Sequence, residues 1–162
     1  MPRSTSSPGD SIWMKLALSR ARKAARKGEV PVGCVIVRDG KLLASGSNRR
    51  ETANDPTAHA EIVALRKAAR NQKDWRLGGA TLYVTLEPCL MCLGALKNAR
   101  VARLVYGAKD PKQGATELFT RRPRAPRDGN DHPLEILGGV RAEESAALLK
   151  EFFRNRRKAR KD

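Results

Sequence analysis

Two short clusters in this chain have the residue types and spacing that metal-assisted hydrolysis requires: His59-Ala60-Glu61 and Pro88-Cys89-Leu90-Met91-Cys92. A Cys-x-x-Cys pair on one helical turn places both sulfurs on the same side, so Cys89 and Cys92 can grip one ion. His59 adds a nitrogen, and one nitrogen with two sulfurs suits zinc. The count of three is informative. Structural zinc sites are closed by four protein ligands, whereas catalytic ones keep a position for water. Zinc lowers the pKa of such a water to about 7, so hydroxide is available as a nucleophile at neutral pH. Glu61 lies too near His59 to be a good fourth ligand beside it. It is well placed as a proton shuttle, taking a proton from that water and passing it to a ring nitrogen and then to a departing amine.

Each cluster alone has a plainer reading. A lone His-x-Glu is usually a solvated helix start, and a lone Cys-x-x-Cys can be a thioredoxin-type redox pair. The other candidates for ligation do not compete: Cys34 lies inside an apolar strand, where a buried structural thiol is expected, and His132 has no neighbour at metal-site spacing. Taken together, His-x-Glu and Pro-Cys-x-x-Cys match the known signature of zinc deaminases that remove an exocyclic amine from a nucleobase; this is a matched signature, not a deduction from spacing.

Both clusters must sit where a loop or strand turns into a helix, because first-turn side chains can then share one cleft and the free N–H groups favour thiolates and carboxylates. The surrounding pattern provides this. A helix is expected from Asp10 or Ser11, with Ile12, Leu16 and Ala17 on one side and Gly28 ending it. Val32–Val37 reads as a buried strand, Asp39-Gly40 as a tight turn and Lys41–Ser45 as the returning strand. A polar loop over Arg49–Thr57 leads into a helix whose Ile62, Leu65 and Ala69 face a core. Thr81–Leu86 is a strand stopped by Pro88, Cys89–Ala99 a helix, Arg103–Tyr106 a strand, Leu134–Leu137 a short strand and Glu143–Lys161 a helix. The alternation predicts an α/β fold: a three-layer αβα sandwich around a mixed five-stranded sheet.

The chain's 162 residues fit one domain: a flexible tail over 1–10, a catalytic domain over 11–157 and a basic end over 158–162. Its 33 Lys and Arg against 17 Asp and Glu give a net charge of +16, and the pI is about 10.6. Such an excess points to a polyanionic partner, most simply nucleic acid. The tail shows no export signal, no stretch is apolar enough to span a membrane, and three cysteines fit a metal site better than a disulfide framework. A cytoplasmic protein is expected.

The resemblance to a family is long. Glu29-Val30-Pro31-Val32-Gly33, Asp55 to Ile62, Thr81 to Cys89, Tyr106 to Asp110, Ala146 to Leu149, Phe152-Phe153-Arg154 and Arg156-Arg157 resemble the bacterial tRNA-specific adenosine deaminases, which have a cytidine deaminase-like fold. The match runs from about Ser11 to about Arg157. It implies one zinc ion per subunit on His59, Cys89 and Cys92, with Glu61 catalytic. It further implies a homodimer that deaminates the wobble adenosine in the anticodon stem-loop of an arginine tRNA to inosine. Asn48 would contact the flipped nucleotide, Asp110 the anticodon backbone or ribose, and Phe152, Arg154, Arg156 and Arg157 the anticodon loop. The residues themselves leave alternatives: Asn48 and Asp110 are also ordinary turn formers, and either of Phe152 and Phe153 can be packing.

The Arg121–Pro133 segment departs from the family pattern by being longer, more basic and richer in proline, and Asn130-Asp131-His132 stands where an Asn-His pair is expected. Leu93 and Leu96 are larger than expected after the second cysteine. Two other functions remain in competition: a zinc deaminase of free guanine or cytosine, and a noncatalytic zinc-containing RNA-binding module. The charge disfavours the first, since a small neutral substrate gains nothing from it. The spare coordination position and Glu61 disfavour the second.

Overall fold

A computed structural model describes residues 5–120 and 132–162. Along the chain run α1 (Pro8–Arg26), β1 (Gly33–Arg38), β2 (Lys41–Ser47), α2 (Ala60–Gln72), β3 (Thr81–Leu86), α3 (Leu90–Asn98), β4 (Arg103–Ala108), α4 (Thr116–Thr120), β5 (Glu135–Leu137) and α5 (Ala142–Ala159). The strands form one five-stranded sheet in the order β2-β1-β3-β4-β5. β1 is antiparallel to β2 and β3, while β3, β4 and β5 run parallel, so the sheet is mixed.

The central strands carry apolar residues on both faces because helices cover both faces. Cys34, Ile36, Leu82, Val84 and Leu104 join the core beneath α2 and α3. Their neighbours Val35, Val37, Tyr83 and Val105 join a second core with Met14, Ala17 and Leu18 of α1. Alternate residues of one strand therefore serve opposite layers. Leu93 and Leu96 are buried in the first core, Leu96 one turn along α3 from Cys92.

Several expected boundaries move. α1 starts at Pro8, not at Asp10 or Ser11, so Pro8–Asp10 are helix rather than tail. The reason is local: Ser7 is the N-cap, and its N–H donates to the Asp10 carboxylate at 2.8 Å. Asp10 is fully buried, and it also accepts from the Tyr83 hydroxyl at 2.8 Å and from Arg103 Nη1 at 2.6 Å. The apolar face of α1 is Met14, Ala17, Leu18, Ala21 and Ala24; Ile12 is 67% exposed, contrary to the expectation from its periodicity. In α2 the buried face is Ala60, Glu61, Ala64, Leu65 and Ala68, with Ile62 only partly covered. β2 and β4 extend to Ser47 and Ala108, and α5 runs unbroken through Ala159, across the boundary expected at 157. The short helix α4 was not expected. Of the unusual Arg121–Pro133 segment, residues 121–131 lie outside the described residues.

Candidate active site

The two signature clusters occupy equivalent places. His59 is the N-cap of α2 and Cys89 the N-cap of α3, both with extended backbone. Asp55 prepares the first of these junctions, its Oδ1 accepting from the Thr57 N–H at 2.8 Å and hydroxyl at 2.7 Å. Pro88 ends β3 and leaves the chain free to turn into α3. With α2 and α3 packed on the same face of the sheet, their first turns meet.

At that meeting point His59 Nδ1 lies 3.6 Å from Cys89 Sγ and 3.6 Å from Cys92 Sγ. The ligand atoms of His59, Cys89 and Cys92 all fall within 4.8 Å of one another, and Glu61 is not part of this group. Hydrogen bonding from the Cys92 thiol, helped by His59, outweighs burial and holds the Cys89 thiol down at about 4. The hydrogen bond to Cys89 correspondingly raises the His59 imidazole, while Cys92 is pushed up by its bond to Cys89 and by burial. A ready thiolate, a second thiol and an imidazole nitrogen converging on one point form a donor set that fits a metal ion, and zinc best by softness. Cys34 is fully buried elsewhere in the core and takes no part.

Glu61 is 4% exposed in the first turn of α2, and burial is the main cause that lifts its carboxyl to about 7. It shares a cavity of about 380 Å³ with His59 and Cys89. Asn48 and Asp110 also line this cavity, and both make the turn contacts that their types predict. Asn48 Nδ2 donates to the Val30 carbonyl at 3.3 Å and its Oδ1 accepts from the Arg50 N–H at 3.1 Å. Asp110 Oδ1 accepts from the N–H groups of Lys112 at 3.0 Å and Gln113 at 3.2 Å.

The α5 residues divide between two hollows. Phe153, 41% exposed, lines the cavity, whereas Phe152 faces a separate groove of about 650 Å³ with Arg22, Arg26 and Arg156. The 100° step between successive helical residues sends the two rings to different hollows, while their edges stay in T-shaped contact with centroids 5.4 Å apart. Arg154 and Arg157 are exposed on α5 and do not line the cavity.

Two residues without an assigned role hold the cavity walls. Glu29, 1% exposed, accepts from the Glu51 N–H at 3.3 Å and the Thr52 N–H at 2.6 Å, fixing the loop after β2 that carries Arg50. Glu87, 7% exposed, accepts from the Asp110 N–H at 3.0 Å, the Thr116 N–H at 3.3 Å and the Thr116 hydroxyl. Gly114 packs so tightly there that a Cβ would lie 2.2 Å from Glu87 Oε2. Each carboxylate is therefore satisfied by a loop distant in sequence. Beyond the family motifs in which they stand, their sequence signal is a charged residue next to an apolar strand.

The model of the MafB19-like deaminase family matches residues 9–157. A tRNA-specific adenosine deaminase of Agrobacterium fabrum is 47% identical over 145 residues, covering 90% of this chain and 94% of that protein. Among solved structures, one from work on A-to-I editing by tRNA:A34 deaminases superposes with a TM-score of 0.79 at 45% identity, over 86% of this chain and 99% of that one. A guanine deaminase from Nitrosomonas europaea superposes with a TM-score of 0.73 at 26% identity, over 94% of this chain and 87% of that one. With the ligand cluster and Glu61 in one cavity, these likenesses identify the chain as a member of the MafB19-like deaminase family and, within it, of the tRNA-specific adenosine deaminases.

Proposed function

We propose that the protein hydrolyses the exocyclic amine of the wobble adenosine in a tRNA anticodon stem-loop, yielding inosine and ammonia, with an arginine tRNA as the expected substrate. The observation that carries this reading is the cavity shared by buried Glu61, His59 and Cys89, in a chain 47% identical to a relative named for the same chemistry. A zinc ion held by His59, Cys89 and Cys92 would supply an activated water at this point.

The chain's own groups do the rest. Glu61, lifted to about 7, exchanges a proton readily at neutral pH. Its carboxylate takes a proton from the attacking water and passes it to the ring nitrogen beside the reacting carbon. It then takes the remaining proton of the newly bound hydroxyl and delivers it to the amine, which departs as ammonia as the C–N bond breaks. Asp110 uses Oδ1 for its turn, which leaves Oδ2 for a ribose hydroxyl. Asn48 keeps one amide hydrogen and one lone pair for the nucleotide. Phe153 offers an exposed ring at the cavity edge on which a neighbouring base can stack. Arg154, Arg156 and Arg157 lie along the same helix and supply cations for the anticodon backbone. A homodimer is part of the proposal, since Leu90, Met91 and Leu118 are exposed on the contacting helices α3 and α4. The compartment follows from the substrate, a cytoplasmic tRNA.

The free-base reading draws on the guanine deaminase likeness, but a net charge of +16 offers nothing to a neutral purine. The deciding experiment incubates the zinc-loaded protein with an arginine tRNA stem-loop carrying wobble adenosine and measures inosine by mass spectrometry. Inosine is expected, with a 10²–10⁴-fold loss for Glu61→Gln. No inosine from folded, zinc-loaded protein refutes the tRNA assignment, and free guanine is then the substrate to try.

A further inference from the structure

Five cations gather around the edge strand β2: Arg20 and Lys23 of α1, Arg49 just after β2, and Lys67 and Arg70 of α2. Two glycines bring them there. A Cβ on Gly33 would lie 2.0 Å from the Ala17 carbonyl of α1, and one on Gly46 would lie 2.6 Å from the Ala60 carbonyl of α2. Gly46 pairs with Cys34, the neighbour of Gly33, so the helices approach the sheet edge at one level from opposite faces. Their cationic flanks then meet around the strand that forms this edge of the sheet among the described residues.

Among the described residues, none of the five has a carboxylate within 4.0 Å. Of the acids nearby in sequence, Asp55 is engaged by Arg66 at 3.8 Å, and Glu51, two residues after Arg49, forms no ion pair with it. Arg20 Nε is buried and has no hydrogen-bond partner. The Lys67 ammonium is lowered by burial and then by the charges of Arg49, Lys23, Arg20 and Arg70, which places those four within electrostatic reach of Lys67. Uncompensated like charges are destabilising unless a polyanion relieves them. The rim also joins the cavity directly, since Arg49 lies between Asn48 and Arg50, both of which line it.

We propose that this rim binds the phosphodiester backbone of the RNA that enters the cavity, on nucleotides flanking the one that reacts. The inference rests on the RNA reading above. It predicts a track on the β2 side of the cavity, separate from the α5 arginines.

The test is the binding affinity of the anticodon stem-loop as a function of KCl concentration, for three proteins. These are the wild type, the exposed rim variant Lys23→Gln/Lys67→Gln/Arg70→Gln, and a charge-matched variant, Lys15→Gln/Lys73→Gln/Arg76→Gln, at exposed positions outside β2 and the five rim cations. Three lost phosphate contacts should flatten the slope of log affinity against log salt by about 2, with affinity about tenfold lower near 0.1 M salt, for the rim variant alone. Equal losses in the two variants would mean a general charge effect and overturn the proposal. So would a rim variant that binds like the wild type while the wild type makes inosine, which leaves the tRNA reading intact. A wild type that neither binds nor deaminates the stem-loop removes both.

Discussion

Asp10 offers a stability test with a definite pH signature. Its carboxylate is buried in the first turn of α1 and receives four hydrogen bonds: from the Ser7 N–H, the Tyr83 hydroxyl, and Arg103 Nη1 and Nη2, the last at 3.0 Å. Burial alone would raise its pKa, but these bonds and the Arg103 charge outweigh it and bring it from 3.8 to about 2. A difference of about 1.8 units corresponds to about 2 kcal/mol of stability. The folded pKa lies below the unfolded one, so this stabilisation is fully present above about pH 4. It is lost as pH falls from about 4 towards 2. Asp10→Asn should therefore cost about 3 kcal/mol at pH 7, at the lower end for a broken buried pair because Arg103 keeps Glu135 at 3.7 Å. For a chain of this size that is a fall of about 6–12 °C in Tm. Urea unfolding of both proteins at a series of pH values isolates the residue, because every other carboxylate cancels in the difference. The gap between wild type and variant should shrink by about 2 kcal/mol between pH 6 and pH 2. A gap that stays constant over that range would refute the electrostatic account and leave only packing.

Two further outcomes concern the cavity walls. Glu87→Gln replaces one of two accepting oxygens with a donor facing N–H groups, so amide exchange at Asp110 and Thr116 should quicken and KM for the stem-loop rise about tenfold, while zinc content stays at one per chain. Loss of zinc together with activity would assign Glu87 to the metal centre instead. Phe153→Ala should raise KM for RNA, and Phe152→Ala should mainly lower stability; the reverse assignment would show that the rings exchange roles when RNA binds.

The His59, Cys89 and Cys92 cluster was legible in the sequence because it depends on residue types at close spacing. Cys89 and Cys92 share a face for reasons of helical pitch alone, and His59 and Glu61 lie within one turn. The central strands were equally legible, since a strand covered on both faces must be apolar almost throughout, as Val35 to Val37 and Leu82 to Val84 are. What failed was the choice among local alternatives that only distant residues decide. Ile12 has the right spacing to face a core, yet Asp10, drawn inward by Tyr83 and Arg103, sets the rotation of α1 and turns Ile12 to solvent. Phe152 and Phe153 are interchangeable in composition, and only the docking of α5 on the sheet assigns one to the cavity and the other to the groove beside α1. Glu29 and Glu87 carry no recognisable spacing with the loops they hold, because their partners lie 22–29 residues away. Short-range periodicity thus determined which residues could act and what chemistry they share. Long-range hydrogen bonding and helix docking decided which of them line the cavity.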